Sequence, residues 1–203
     1  MKTKILLLLL TVSLSTYAQR EQEVLQSDSL IFYGWDFSQL HLVDEKYLGT
    51  DMTTQVLEWV NFCQQRATEE WLSNKFQKKV TVNFTPTADR ARKVNGSKVV
   101  APTKTLINKD SLQAYVNAFD FPDKSGIGVI VFLECFEKPT KTTSGYYTFI
   151  DLSSKEIMLA DYFSGREVDG YGLTKYWGIS IMGTHNVYTS NFRKKLKNLA
   201  AED

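Results

Sequence analysis

The two histidines are the side chains of this sequence best suited to acid–base or metal chemistry. His185 lies between Ile181 and Tyr188 in a stripe of apolar residues with helical spacing, which predicts a core histidine rather than a base or a metal ligand. His41 follows the first predicted strand and has no second ligand at a spacing typical of a metal site. We therefore predict no catalytic residue and no bound metal.

The sequence also lacks the short motifs that accompany known chemistries. It contains no nucleophile elbow, HExxH, CxxC, EF-hand or Walker sequence. A Ser-His-Asp triad assembled from distant segments would leave no such motif, because triads are defined by geometry. A hydrolase with a site of that kind stays open as the least favoured of three alternatives, and no cofactor is expected.

Cys63 and Cys135 could form a disulfide or could be two separate core residues. Cys63 lies on the apolar face of a predicted helix, and Cys135 lies on one face of a predicted strand that such a helix would cover. An exported protein enters an oxidising compartment, where two neighbouring thiols become bonded. Bonding requires their Cα atoms to come within about 7 Å. Otherwise both act as small apolar side chains.

Three tyrosines are candidate ligand-binding residues. Tyr146 and Tyr147 lie at the start of a predicted strand, and Tyr171 lies in the glycine-containing stretch Gly165–Lys175 before the last helix. Exposed aromatic rings can stack on a glycan or another small ligand. The same stretch is also typical of a simple connection in which Thr174 caps the helix.

The first 18 residues are typical of a secretory signal peptide. Lys2 and Lys4 precede an apolar run, and the segment ends at Ala18, so cleavage would leave Gln19 as the first residue of the mature chain. A bacterial lipoprotein would need a cysteine at that position. The sequence therefore predicts a periplasmic or secreted protein without a membrane anchor.

Composition places the rest of the chain among globular proteins. Residues 19–29 are polar and without periodicity, which predicts a flexible lead-in, and residues 30–203 have the length of a single α/β domain. The formal net charge is +1, and removing the two lysines of the signal peptide keeps it close to zero. A nearly neutral chain has no field that would attract nucleic acid, so no nucleic-acid partner is expected.

The apolar pattern predicts an α/β (α+β) fold with a single mixed β-sheet. Strands are expected at residues 30–37, 79–84, 127–136, 146–152 and 156–163, and the last three form a three-stranded C-terminal meander. The strand at 127–136 is apolar on both faces, which is typical of a central strand covered on both sides. One face would carry Val129, Val131, Leu133 and Cys135, and the other Ile130, Phe132 and Phe136.

Helices are expected to pack on this sheet. One begins near Thr53, and its apolar face continues to Trp71; Thr68 could start a second helix there, so one helix or two stays open. Shorter helices are expected over residues 88–94 and 112–119. A long amphipathic helix closes the chain, with its apolar stripe formed by Trp177, Ile181, His185, Tyr188, Phe192, Leu196 and Leu199.

Several blocks of the sequence resemble small exported Bacteroidota proteins of unassigned function. Phe32–Ser38 resembles their first strand, and Gly145–Leu152, Met158–Gly165 and Gly172–Trp177 resemble their closing hairpin and helix. The same pattern is more remotely similar to the N-terminal domain of TolB and to the curli-secretion lipoprotein CsgG. The resemblance implies an α/β fold and an envelope location, and it carries no catalytic residue.

These observations favour a non-enzymatic envelope protein that binds or helps to assemble another envelope component. The alternative is a binding module for a glycan or another small ligand, which would use exposed aromatic rings such as Tyr146, Tyr147 and Tyr171. Two or more exposed rings in one groove would favour the alternative.

We predict that the exported protein begins at Gln19 and carries no lipid. Intact-mass analysis of the protein recovered from the envelope tests this prediction, since cleavage after Ala18 fixes the expected mass. A mass that retains residues 1–18, or one increased by acyl chains, would contradict it.

Overall fold

The computed structural model describes residues 19–166 and 170–202, which form a mixed α/β fold around one seven-stranded sheet. The predicted signal peptide, including Ala18, lies outside the described residues. The strands are β1 (Ser29–Asp36), β2 (His41–Val43), β3 (Lys79–Val82), β4 (Val100–Ala101), β5 (Ile127–Glu137), β6 (Thr142–Asp151) and β7 (Glu156–Gly165). The helices are α1 (residues 19–26), α2 (Thr53–Gln64), α3 (Glu69–Phe76), α4 (Thr85–Ala91), α5 (Leu112–Asn117) and α6 (Leu173–Glu202).

Strand β5 is the centre of the sheet. On one edge it pairs in parallel with β1 through Gly128–Phe132 and with β2 through Cys135–Glu137, so β1 and β2 lie end to end along that edge. On the other edge it pairs antiparallel with β6, which pairs antiparallel with β7. On their outer sides, β1 pairs in parallel with β3 and β2 pairs in parallel with β4. The predicted C-terminal meander and the mixed sheet are therefore confirmed.

Both faces of β5 are buried, as its apolar sequence predicted. Val129, Val131 and Leu133 join the larger core beneath α2, α3 and α6, whereas Ile130 and Phe132 join a smaller core beneath α5. A register shift between Leu133 and Cys135 marks a β-bulge, and Phe136 beyond it returns to the larger core. The predicted alternation of faces is therefore wrong after Leu133, because a bulge inserts an extra residue into the period of two.

The segment after Thr53 forms two helices rather than one. The backbone N–H of Trp71 donates to the hydroxyl of Thr68 at 3.2 Å, so Thr68 is the N-cap of α3. Trp59, Val60 and Cys63 of α2 are buried against the sheet.

The closing helix α6 buries the predicted stripe at Trp177, Ile181, His185, Tyr188 and Phe192. The indole of Trp177 stacks on Phe136 with the ring centroids 4.6 Å apart. Thr174 lies inside the helix, and its hydroxyl donates to Glu58 and accepts from Gln55 at 2.9 Å. The predicted cap thus anchors α6 to α2. Within the described chain, no helix combines the length and apolar character needed to cross a membrane.

The segment predicted to be a flexible lead-in is instead helical over residues 19–26. Val24 is fully buried in the larger core, and Arg20 contacts the carbonyl of Ile157 and the carboxylate of Glu156. Glu21 accepts from Lys195 of α6 at 2.7 Å. Sequence periodicity failed to reveal this helix because one buried residue and a few polar contacts hold it in place.

We predict that Trp177→Ala lowers the free energy of unfolding by about 3–5 kcal/mol, because it removes a fully buried indole from the contact between α6 and β5. Urea denaturation of the mature chain measures the change. The control is Val187→Ala on the same helix, where the side chain is 56% exposed; a change within about 0.5 kcal/mol is expected there. Equal stability of the Trp177 variant and the control would show that the stripe does not hold the fold together.

Candidate functional site

The three candidate tyrosines do not share a groove. Tyr147 has no exposed surface, and its ring stacks on Tyr188 with the centroids 3.6 Å apart. Tyr146 is half-buried and contacts Tyr162 edge to face, whereas Tyr171 is 97% exposed. The predicted binding platform is therefore corrected: Tyr147 is a core residue, because it points toward α6 on the larger core side of β6.

His185 is enclosed by aromatic rings, as a core histidine would be. Its Nδ1 lies 2.8 Å from the hydroxyl of Tyr147, and its ring stacks on Trp71 at a centroid distance of 4.8 Å. Burial, with a smaller contribution from the positive charge of Lys75, lowers the pKa of His185 to about 3. The imidazole is therefore neutral at physiological pH. Its Nε2 is buried without a partner in the described structure, so no carboxylate orients it for general base catalysis.

The two cysteines are free and buried, so the possible disulfide is not formed. Cys63 belongs to the larger core with Phe136. Because Cys135 is the neighbour of Phe136 in β5, its side chain points to the opposite face of the sheet. The β-bulge is the physical reason: without it, Cys135 would follow Leu133 onto the face of Cys63. Burial raises the pKa of Cys63 and raises that of Cys135 to about 12, so neither thiol is a ready nucleophile.

Glu134 is a fully buried carboxylate that sequence reasoning missed. Its Oε2 accepts from the backbone N–H of Ile107 at 2.8 Å, and its Oε1 accepts from the hydroxyl of Ser144 at 3.0 Å. It lies at the bulge of β5 and attaches the segment before α5 to the sheet. The signal in the sequence is one acidic residue inside an otherwise apolar strand.

A second buried carboxylate, Asp36, ends β1 and holds Arg90 of α4. Its Oδ2 accepts from the Arg90 Nε at 3.2 Å, and its Oδ1 accepts from the backbone N–H of Ser38 at 2.9 Å. The Ser38 hydroxyl accepts from Arg90 Nη2 at 2.8 Å. Burial raises the pKa of Asp36, against the opposing effects of Arg90 and Ser38. This cluster was also missed, because the two partners lie 54 positions apart in the chain.

Two adjoining clefts of about 200 and 260 Å³ open beside this cluster. They share Ser38, Val94 and Asn95 and so form one groove between the C-terminal side of α4 and the connection from β1 to β2. We call it the β1 groove; its polar lining consists of Ser38, Gln39, His41, Arg90, Lys93, Asn95 and Lys98. His41, predicted in a loop, lies in β2, and its Nδ1 is buried without a partner in the described chain.

A third cleft, of about 180 Å³, lies between the end of β7 and α6. We call it the β7 cleft; it is lined by Tyr162, Phe163, Ser164, Gly165, Thr184, Val187, Tyr188 and Asn191. Four consecutive strand residues line it, and alternate side chains of a strand point to opposite faces. The cleft therefore runs along the edge of β7. Residues 167–169 of the connection that follows lie outside the described part of the chain.

Comparisons with known proteins leave the resemblance proposed from the sequence as a prediction. No protein-family model, curated protein or solved structure matches this chain. Within residues 19–166 and 170–202, no group of histidine, cysteine and acidic side chains is arranged to hold a metal ion.

We predict that His185 makes the protein less stable in mild acid. Its pKa is lower in the folded chain, so only the unfolded chain binds its proton between about pH 6.5 and about pH 3. The stabilisation is complete above pH 6.5 and is lost as the pH falls through this range. The free energy of unfolding of the wild type should fall by ~1.4 kcal/mol per pH unit more than that of His185→Gln.

Urea denaturation of both proteins at a series of pH values measures the two slopes. His41 and the carboxylates are present in both proteins, so their contributions cancel in the difference. Parallel slopes would show that His185 is protonated in the folded state.

Proposed function

We propose that this chain is an exported, non-enzymatic envelope protein that binds an extended segment of a partner protein in the β7 cleft. The observation that carries the proposal is the edge of β7, which pairs with β6 on one side and with no other strand of the described chain. An unpaired edge offers a row of backbone donors and acceptors to an incoming strand.

Described residues cover the start of this edge, and none of the described strands pairs with its end. The backbone N–H of Ile157 donates to Gln113 at 3.0 Å, and its carbonyl accepts from Arg20. These contacts occupy the groups that a neighbouring strand would use. At the other end, the cleft along Tyr162–Gly165 exposes the strand edge to a ligand. An added segment would therefore pair with the second half of β7.

Two exposed apolar side chains give this edge a contact surface for a side chain of the partner. Tyr162 is 48% exposed and Val187 is 56% exposed, and both line the β7 cleft. A volume of about 180 Å³ accommodates one apolar side chain of a partner. Main-chain pairing with one anchoring side chain is the usual pattern of strand addition.

The placement of His185 and the two cysteines supports a non-enzymatic role. His185 is enclosed and neutral, and the thiols of Cys63 and Cys135 are buried with raised pKa values. All three groups are buried, and none of them lines the β1 groove or the β7 cleft.

Site-specific photo-crosslinking in the source cell tests the proposal. A photoreactive amino acid at Val187 should crosslink to one short segment of one partner protein, identified by mass spectrometry of the adduct. The matched control is the same amino acid at Leu48, which is 50% exposed but lies on the connection from β2 to α2. No specific adduct is expected there.

The crosslinked segment is then synthesised as a peptide and its affinity is measured. Val187→Glu should weaken binding by about tenfold or more, because it places a charge against an apolar side chain. Leu48→Glu should bind as the wild type does. Equal crosslinking at both positions, an adduct only with a second copy of the chain, or unchanged affinity of Val187→Glu would contradict the proposal.

A further inference from the structure

We propose that the β1 groove binds a phosphate group, carried by inorganic phosphate, by a small organic phosphate or by a lipid headgroup. The site is distinct from the β7 cleft, and its occupant is defined by the three cations of its lining, Arg90, Lys93 and Lys98. No acidic residue lines either of the two clefts that form it.

Arg90 is held in position for this role by three contacts. Its Nε donates to Asp36 at 3.2 Å and its Nη2 donates to Ser38 at 2.8 Å. The flat guanidinium also lies over the ring of Phe119, with Cζ 4.4 Å from the centroid. A guanidinium has five N–H donors, and these two hydrogen bonds are the ones it makes within the described chain. The remaining donors belong to a fixed, partly exposed group, so little side-chain entropy is lost when an anion binds.

Lys93 and Lys98 supply the charge that Arg90 alone cannot. Asp36 offsets the charge of Arg90, whereas the side-chain ammonium groups of Lys93 and Lys98, unlike their backbone N–H groups, have no ion pair or hydrogen bond within residues 19–166 and 170–202. Two uncompensated positive charges match a phosphate monoester, which carries about −1.5 to −2 at pH 7. A single carboxylate would leave one of them unmatched.

Carbonyl groups at the end of α4 have hydrogen-bond partners other than the side chains of Lys93 and Lys98. The carbonyls of Ala88, Arg90 and Ala91 already accept backbone N–H groups. These three carbonyls therefore do not need the lysine ammonium groups as hydrogen-bond partners. Asn95 adds an amide to the same wall: its Oδ1 accepts from the backbone N–H of Ser97 at 3.1 Å, which leaves the amide N–H groups for a ligand.

The position of the groove in the sheet supports a ligand site. After β1 the chain passes through β2, α2 and α3 to β3 on one side of β1, and after β3 it passes through α4, β4 and α5 to β5 on the other side of β1. The chain thus reverses its direction across the sheet around β1, and open α/β sheets bind their ligands at the carboxyl ends of strands where such a reversal occurs. Asp36 and Ser38 lie at that end of β1. Volumes of about 200 and 260 Å³ suit a phosphate with a small substituent.

Binding to the mature chain tests the proposal with three probes: inorganic phosphate, glycerol phosphate, and vesicles of phosphatidylcholine with and without phosphatidylglycerol. Calorimetry serves the soluble probes and sedimentation serves the vesicles. The variant is Lys93→Gln combined with Lys98→Gln, since both side chains are exposed and the fold does not depend on them. Arg90 is left intact, because its loss would leave Asp36 buried without its cation.

The control carries Lys194→Gln and Lys197→Gln, two exposed lysines on the last turns of α6, and has the same net charge as the variant. We expect the wild type and the control to bind at least one probe equally, and the variant to bind it on the order of tenfold more weakly. Binding of a soluble phosphate supports a soluble ligand, and binding only of phosphatidylglycerol vesicles supports a lipid headgroup. Absence of binding to all three probes, or equal weakening in variant and control, would overturn the proposal without affecting the β7 cleft.

Discussion

The carboxylate of Glu134 is buried at the bulge of β5, and the packing on both faces of the sheet depends on how that charge is satisfied. A buried carboxylate without hydrogen bonds would cost several kcal/mol. Here the backbone of Ile107 and the hydroxyl of Ser144 both donate to it. Because the bulge places Glu134 and Cys135 on the side of α5, Phe136 is free to point the other way. There it stacks on Trp177 and fixes the start of α6.

The long helix in turn defines what the larger core can contain. Its aromatic stripe encloses His185 between Trp71 and Tyr147, and burial there disfavours the charged form of the imidazole. The same helix forms one wall of the β7 cleft through Val187. Helix α6 thus has one face that stabilises the fold and, at Val187, an exposed side that a partner could contact.

Much of this fold follows from the sequence, since it rests on local periodicity. The spacing of apolar and polar residues predicts the central strand, the meander, the N-cap at Thr68 and the buried face of α6. The sequence-based predictions were wrong or incomplete where a contact between residues far apart in the chain determines the local structure. Glu134, at the bulge that separates Cys63 from Cys135, bonds to the distant Ile107, and the Asp36–Arg90 cluster joins segments that only the folded sheet brings together. Tyr146 and Tyr147 do not form the predicted binding site, because the exposure of a strand residue depends on whether a helix covers the face of the sheet on which its side chain lies.

The two proposed binding surfaces lie at the same end of the sheet for a topological reason. β6 is antiparallel to both of its neighbours, so β7 runs in the same direction as β1 and β5, and the carboxyl ends of β1 and β7 face the same way. Residues that end these strands leave the regular ladder, and their polar groups become available to ligands. Between the two surfaces lie β5 and β6, joined along ten paired positions and buried on both sides of β5. Hinges are usually loop or element-terminal residues, and this paired stretch of the sheet has neither between the two surfaces, which favours two surfaces that bind independently over one that regulates the other.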